Sequence, residues 1–150
     1  MEAGCMAQIL ELIRADHDFI RSLLDELADN PETRDVRCIT LRRELPGHMY
    51  AEEATLYARL RGVAPEEIRQ SISEHSDIRD MLARFEAIPL RDEAWMPALA
   101  GLTDIVKAHF AAEEEVIFSR AEHYLSRSEL FELSEGFGME KQKAAQFAVM

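Results

Sequence analysis

His48 and Glu52 stand four residues apart in HMYAEE (48–53), and His109 and Glu113 repeat that spacing in HFAAEE (109–114). On a helix, side chains four apart share one face, with Cβ atoms about 5–6 Å from each other. Each pair therefore aims an imidazole and a carboxylate at one point. Leu45 precedes His48 by three residues and Leu56 follows Glu52 by four; Val106 and Ile117 bracket the second pair in the same way. Those are the spacings of an apolar stripe, so both pairs face a core. A buried carboxylate carries a penalty of several kcal/mol unless it is compensated. The stripes offer no lysine or arginine at that level, since Arg59 and Arg120 fall near the helix ends. A multivalent cation would compensate both acids at once.

Two further histidines join them. His17 lies between Ile13 and Ile20, and His75 between Ile72 and Ile78, so each of four helices brings one histidine inward. Imidazole suits zinc, copper, iron and nickel, and added carboxylates move the balance toward iron or manganese. Four imidazoles and two carboxylates exceed the needs of one tetrahedral zinc. They match two ions, each with two histidines, bridged by both glutamates and by an oxo or hydroxo group. One coordination position then stays open to O2, NO or peroxide. Glu44, one turn before His48, and Glu74, directly before His75, are candidate outer carboxylates that orient a ligand or relay a proton. Glu53 and Glu114 read as outward charges, and Tyr50, Tyr57 and Phe118 as packing residues. His123 lies roughly 21 Å along the helix from His109, at 1.5 Å per residue, and cannot share the site.

The elements that must position these groups are helices, because the periodicity is helical nearly throughout. Four long ones are expected: at about 6–28, at 32–60, from Ala64-Pro65 through Phe85 to a turn marked by Pro89 and Asp92, and from the mid-90s to about 124. A short fifth, at about 127–136 behind Ser126 or Ser128, carries Leu130, Phe131 and Leu133; Gly136 and Gly138 then loosen the chain before a polar tail expected to fray. Short connections make this an all-α, up-down-up-down four-helix bundle with a short C-terminal helix, one domain over residues 1–150. Pro46-Gly47, immediately before His48, predicts a kink that curves the second helix or aims the histidine.

The chain also repeats itself. DHDFIRSLL around His17 matches EHSDIRDML around His75, with an acid before each histidine and Ile-Arg at the third and fourth places after it. HMYAEEATLYAR matches HFAAEEEVIFSR. Two copies of one hairpin packed about a pseudo-twofold axis would suit a pair of ions.

Composition narrows the partners. The 150 residues carry a formal charge of −12, with a pI near 4.8. That opposes a nucleic-acid surface, which needs cations for phosphates, and an anionic membrane surface. No apolar run spans a bilayer, and no secretory leader is expected at the start. Cys5 and Cys38 read as two free thiols of a cytoplasmic protein.

The order His, His-x-x-x-Glu, His, His-x-x-x-Glu resembles the hemerythrin-like family, also called HHE cation-binding domains, over nearly the whole chain. The resemblance implies a non-haem di-iron site in a four-helix bundle, held by His17, His48, Glu52, His75, His109 and Glu113. Oxygen-carrying members have a further histidine four residues after the third-helix one; Arg79 stands there in this chain. Their last motif ends in an aspartate one residue later, where Glu114 follows Glu113 here. The pattern is similar to the four-histidine, two-glutamate bacterial branch linked to nitrosative stress and iron–sulfur repair. The expectation is a cytoplasmic protein that binds or senses O2, NO or peroxide at an iron pair, with manganese or a mixed pair as alternatives. A di-iron enzyme or iron donor (ferroxidase, peroxide or NO reduction, cluster repair) and an interaction bundle with a non-catalytic metal are the competing readings. The residues do not name a redox partner.

Overall fold

The computed structural model describes residues 8–148. Helix α1 spans Ile9–Asp29 and starts on a capping box: the Gln8 side chain accepts from Leu10 N–H, while Glu11 accepts from Gln8 N–H. A single turn of 3₁₀ helix, Pro31–Thr33, leads into α2. Helix α2 covers Arg34–Glu52, passes through a π-helical turn at Glu53–Tyr57, and ends as Ala58–Leu60. Helix α3 is Pro65–Glu86, with proline in the first turn, where a missing N–H costs nothing. Helix α4 runs Trp95–Ala112, has its own π turn at Glu113–Ile117, and finishes as Phe118–Tyr124. Helix α5 is Arg127–Ala148. The first four form the expected up-down-up-down bundle, and no strand occurs among the described residues.

Apolar residues form two separate clusters. One gathers Ile20, Leu24, Leu41, Leu45, Leu82, Trp95, Leu102 and Phe110; the other gathers Ile9, Ile13, Leu56, Leu60, Ile68, Ile117 and Phe137. Along each of the first four helices the switch from one cluster to the other falls near the inward histidine or glutamate. On α1, for example, Ile13 belongs to one cluster, Ile20 to the other, and His17 lies between them. The bundle is thus two dry plugs with a polar layer between them. The plugs keep water from that layer, which raises the cost of any uncompensated charge there.

Three expectations need correction. The fifth helix does not stop near residue 136. It continues through Gly136 and Gly138 to Ala148, because Phe137 between them is buried in the second cluster. Burial of that stripe outweighs the poor helix propensity of glycine, about 1 kcal/mol per residue. Second, α2 stays α-helical from Arg34 to Glu52 through Pro46. Its irregularity falls later, at Glu53–Tyr57, where the Thr55 hydroxyl donates to the Ala51 carbonyl at 2.6 Å. Third, the polar end of the chain does not fray before Ala148: Lys141, within α5, reaches Asp16 at 2.7 Å. Ser126 does cap α5, in a reciprocal pair with Glu129. Cys38 is a half-buried free thiol, and Cys5 lies outside the described residues. Among the described residues, no helix is long and apolar enough to cross a membrane.

Replacing Phe137 with alanine should therefore destabilise the protein by about 3–5 kcal/mol, the range for a buried aromatic. Denaturant unfolding measures this. A change below about 1 kcal/mol would mean that α5 is an accessory, not part of the core.

Candidate metal centre

The four histidines and two glutamates named from the sequence meet in the polar layer. His17, His48, His75 and Glu52 are fully buried, and His109 and Glu113 nearly so. All four imidazoles turn Nε2 inward. His17 Nε2 lies 3.0 Å from Glu113 Oε1, His48 Nε2 lies 3.3 Å from Glu52 Oε2, and His75 Nε2 lies 3.1 Å from Glu52 Oε1. His109 Nε2 lies 3.8 Å from Glu113 Oε1. Two donor groups result: His17, His48, Glu52 and Glu113 in one, and Glu52, His75 and His109 in the other, each with its donor atoms within 4.8 Å of one another. Glu52 belongs to both. The halves are near copies, with His17 and His48 rings 4.9 Å apart at 66° and His75 and His109 rings 4.7 Å apart at 72°.

A fit test for cations comes from the hydrogen bonds. His17 Nε2, His48 Nε2, His109 Nε2, Glu52 Oε2 and Glu113 Oε1 are buried without a hydrogen-bond partner. Buried polar atoms are ordinarily paired. Five convergent orphans, all nitrogen or oxygen lone-pair donors of metal-binding type, fit a cation site and nothing apolar.

Behind each imidazole stands a carboxylate that accepts from its Nδ1–H. Glu114 holds His17 at 2.6 Å, Asp16 holds His48 at 2.9 Å, Glu53 holds His75 at 2.6 Å and Glu74 holds His109 at 2.6 Å. Each acid belongs to the helix before that of its histidine, and α4 closes the ring onto α1. This ring explains the repeats: the acid before His17 or His75 serves the next helix, and so does the second glutamate of each Ala-Glu-Glu. The shared arginines complete it, with Arg21 on Glu114 at 3.0 Å and Arg79 on Glu53 at 3.1 Å. Arg79, four residues after His75, thus steadies the partner of that histidine.

Glu53 and Glu114 are therefore not the outward charges expected of them. Side chains adjacent in sequence point about 100° apart on a helix, so one glutamate faces the layer and the next faces the neighbouring helix. Glu74 pairs with His109 and not with its neighbour His75. Glu44 is not an outer carboxylate: its nearest ionic contacts are Arg43 at 3.2 Å and Lys141 at 3.8 Å, and Asp16 takes the place beside His48. Tyr57 is more than packing. Its hydroxyl donates to Glu113 Oε2 at 2.7 Å inside the layer. The duplicated acids were the available sequence signal for Asp16, Glu53 and Glu114. His123 lies at the end of α4, near Tyr124, far from the layer.

Substituting Glu53 or Glu114 with glutamine should lower metal affinity about 10–100-fold, the usual effect of losing a ligand-orienting carboxylate. Competition with a chelator measures it. Glu44→Gln, which touches no histidine, serves as the control and should change nothing; equal losses in all three would sink the ring as a functional device.

Electrostatics follow from the crowding. Burial and the charge of Glu52 push Glu113 up to about 7. Burial also opposes ionisation of Glu52, but His48, Glu113 and His17 outweigh it and hold Glu52 well below the usual carboxylate range. Burial disfavours the charged form of His48, yet the Glu52 charge and the Asp16 hydrogen bond carry it to about 10. In the metal-free protein, protonated His48 thus adds stability that is complete below the unfolded value of about 6.5 and fades as pH climbs through about 10. A cation needs the neutral imidazole, so loading near neutral pH must displace that proton. Apparent affinity should rise between about pH 6 and pH 8, with net proton release on loading. Chelator competition across that range, with a pH indicator in weak buffer, checks both. A pH-independent affinity would contradict the geometry.

The family model for the hemerythrin HHE cation-binding domain matches residues 8–121, and the chain belongs to that family. Its fold carries a metal-binding site of histidine and glutamate ligands. A crystal structure of a hemerythrin HHE cation-binding domain-containing protein from Mycobacterium kansasii superposes with a TM-score of 0.86 at 23% identity, covering 96% of this chain and 91% of that one. That likeness concerns the fold. A protein named DNA nickase from Nostoc sp. (strain PCC 7120 / SAG 25.82 / UTEX 2576) is 27% identical over 141 residues, 92% of this chain. The chain spans only 40% of that relative's length.

Proposed function

We propose that the chain is a non-haem di-iron protein that binds or senses O2, NO or peroxide, with His17 and His48 holding one ion, His75 and His109 the other, and Glu52 and Glu113 bridging. The single observation that carries this reading is the set of five buried, unpaired donor atoms that converge between the helices. Mixed imidazole and carboxylate donors favour iron, with manganese as the closest competitor. Bound iron would supply a redox couple and an electrophilic position for a small ligand.

The chain's own residues do the rest. The outer carboxylates fix each imidazole with Nδ1 protonated and Nε2 free. Phe110 stacks on His17 at 3.8 Å and, with the two apolar plugs, keeps bulk water out. A layer so deeply buried agrees better with a diatomic or peroxide ligand than with a larger substrate. A cytoplasmic setting agrees with the free thiol of Cys38. The net charge of −12 gives no support to a DNA role like that in the Nostoc relative's name.

The test is metal analysis of protein from iron-replete cells, followed by spectra of the reduced protein with O2, NO and peroxide. Two irons per chain and a stoichiometric spectral change support the proposal. Absence of bound metal, or indifference to all three ligands, would reject it. Sustained consumption of peroxide or NO in the presence of a reductant would assign an enzyme instead of a sensor.

A further inference from the structure

Three of the four outer carboxylates are backed by a cation. Arg21 lies 3.0 Å from Glu114, Arg79 lies 3.1 Å from Glu53, and Lys141 lies 2.7 Å from Asp16. Glu74 is the exception. Its Oε1 accepts from His109 at 2.6 Å, and its Oε2 accepts from the neutral amide of Gln70 at 2.9 Å. Among the described residues, no lysine or arginine comes within 4.0 Å of it. It is also the most exposed of the four acids. By the repeat its counterpart is Asp16, whose lysine comes from α5. Helix α5 packs on α1 and α2, and among the described residues no sixth helix covers α3 and α4 in the same way.

A groove of about 300 Å³ opens on that uncovered side, with Ser71 and Glu74 contributed by α3 and Ala112 and Val116 by α4. The repeat sets Val116 against Thr55, and Val116 is 39% exposed where Thr55 is buried at 8%. The groove reaches the polar layer. Ala112 is one turn beyond His109, and Ser71 is one turn before His75. Glu74 holds His109 directly, and the buried Ser71 hydroxyl lies against that of Tyr57, which donates to Glu113. Of the four inner histidines only His109 keeps any exposed surface, 3% against 0%. At the rim, Glu66 and Glu67 are neutralised by Arg69 at 2.7 Å and Arg120 at 2.9 Å, which leaves Glu74 as the uncompensated charge. A second groove, between α1 and α4, also reaches an outer acid, Glu114. There two guanidiniums stand over the acid, Arg14 at 3.3 Å and Arg21 at 3.0 Å, and oppose any approaching cation.

We propose that the groove between α3 and α4 is the port through which ferrous ions reach the centre, and that Glu74 is the carboxylate on which they first land. The proposal rests on the di-iron reading above. A cleft that carries an uncompensated charge concentrates counterions within it. Glu74 has one oxygen for each side: Oε1 stays on His109, while Oε2 is held by Gln70, an exposed residue of the groove that can swing aside. Ser71 and Ala112, the small side chains beside it, put the least bulk between the groove and His109. Because α5 seals the equivalent place on α1 and α2, both ions enter from the His109 side.

The experiment follows uptake of ferrous iron by the full, metal-free chain in the absence of oxygen. Protein and iron are mixed, and a coloured ferrous chelator traps unbound iron at successive times. Gln70→Lys gives Glu74 the cation that the other three acids have. It should slow uptake about tenfold at low salt, the effect of one ammonium about 6 Å from a divalent ion in water. The deficit should shrink above about 0.15 M salt, and the final iron content should match the wild type. Ser22→Lys, at an exposed position in a groove between α1 and α2, changes the net charge equally and should leave the rate alone. Ala112→Leu narrows the port without adding charge and should slow uptake at every salt concentration. Wild-type rates in both Gln70→Lys and Ala112→Leu, or equal slowing by Ser22→Lys, overturn the port and leave the iron centre standing. A wild type that takes up no iron overturns the iron reading itself. Gln70 is exposed, so its lysine variant tests the port even where Ala112→Leu fails to fold.

Discussion

Alanine at Glu52 is expected to empty the centre, reducing bound metal toward none and lowering affinity by more than 100-fold. Loss of an outer carboxylate alone costs about 10–100-fold, and Glu52 stands further in, among the imidazole Nε2 atoms themselves. One of its oxygens lies 3.1 Å from His75 Nε2 and the other 3.3 Å from His48 Nε2, so it is the one side chain in both donor groups. The substitution also removes the charge that keeps His48 protonated in the metal-free state. Breaking a buried pair from one side costs about 3–5 kcal/mol. The metal-free variant should accordingly be less stable than metal-free wild type, even where no metal is present to lose. Metal content after desalting and denaturant unfolding read the two effects separately. Full occupancy in Glu52→Ala would show that the histidines suffice and that the bridge is incidental.

Removing metal from the wild type should produce the largest change in thermal stability. A ligand held at a free concentration about 1,000 times its dissociation constant stabilises the folded state by about 4 kcal/mol. For a chain of this size each kcal/mol moves the melting point by about 2–4 °C, so the metal-free form should melt about 8–16 °C lower. It should still melt cooperatively. The two apolar plugs on either side of the layer are complete without ions, and the metal-free layer is partly compensated by its own histidine–glutamate pairs. Calorimetry with and without chelator measures this, with metal content verified in each sample. Identical melting points would mean that cations bind the unfolded chain as well as the folded one, which a preformed buried site forbids. Loss of all structure on chelation would instead make the metal, and not the plugs, the organising core.

Much of the centre could be read before any coordinates, because the decisive relations are local. A histidine and a glutamate four residues apart share a helix face whatever the helix packs against, and leucine or valine three residues before fixes that face as inward. His17 and His75 were legible for the same reason, and so was the bundle. The outer ring was not. The acids were visible as a repeated pattern, yet Asp16 serves His48 and Glu74 serves His109, so each partner lies 32 or 35 residues away on another helix. Glu53 and Glu114 looked solvent-facing because position on their own helix says nothing about which neighbour covers them. Tyr57 read as packing because its ring does pack; only the place of its oxygen, among Glu113, His75 and Glu52, distinguishes it from Phe118.

The fifth helix shows the opposite failure. Two glycines within three residues weaken any local case for a helix. Helix α5 persists because α1 and α2 offer it a surface: Phe137 is buried, and Lys141 is tied to Asp16 behind His48. Helix type, inward faces and the six inner donors are properties of short stretches, and these the sequence by itself determined. Which acid supports which imidazole, where the hydroxyl falls and how far the last helix runs depend on how helices rotate and approach one another. Only the tertiary structure decided those, because side chains far apart in the chain meet only once the two plugs have packed.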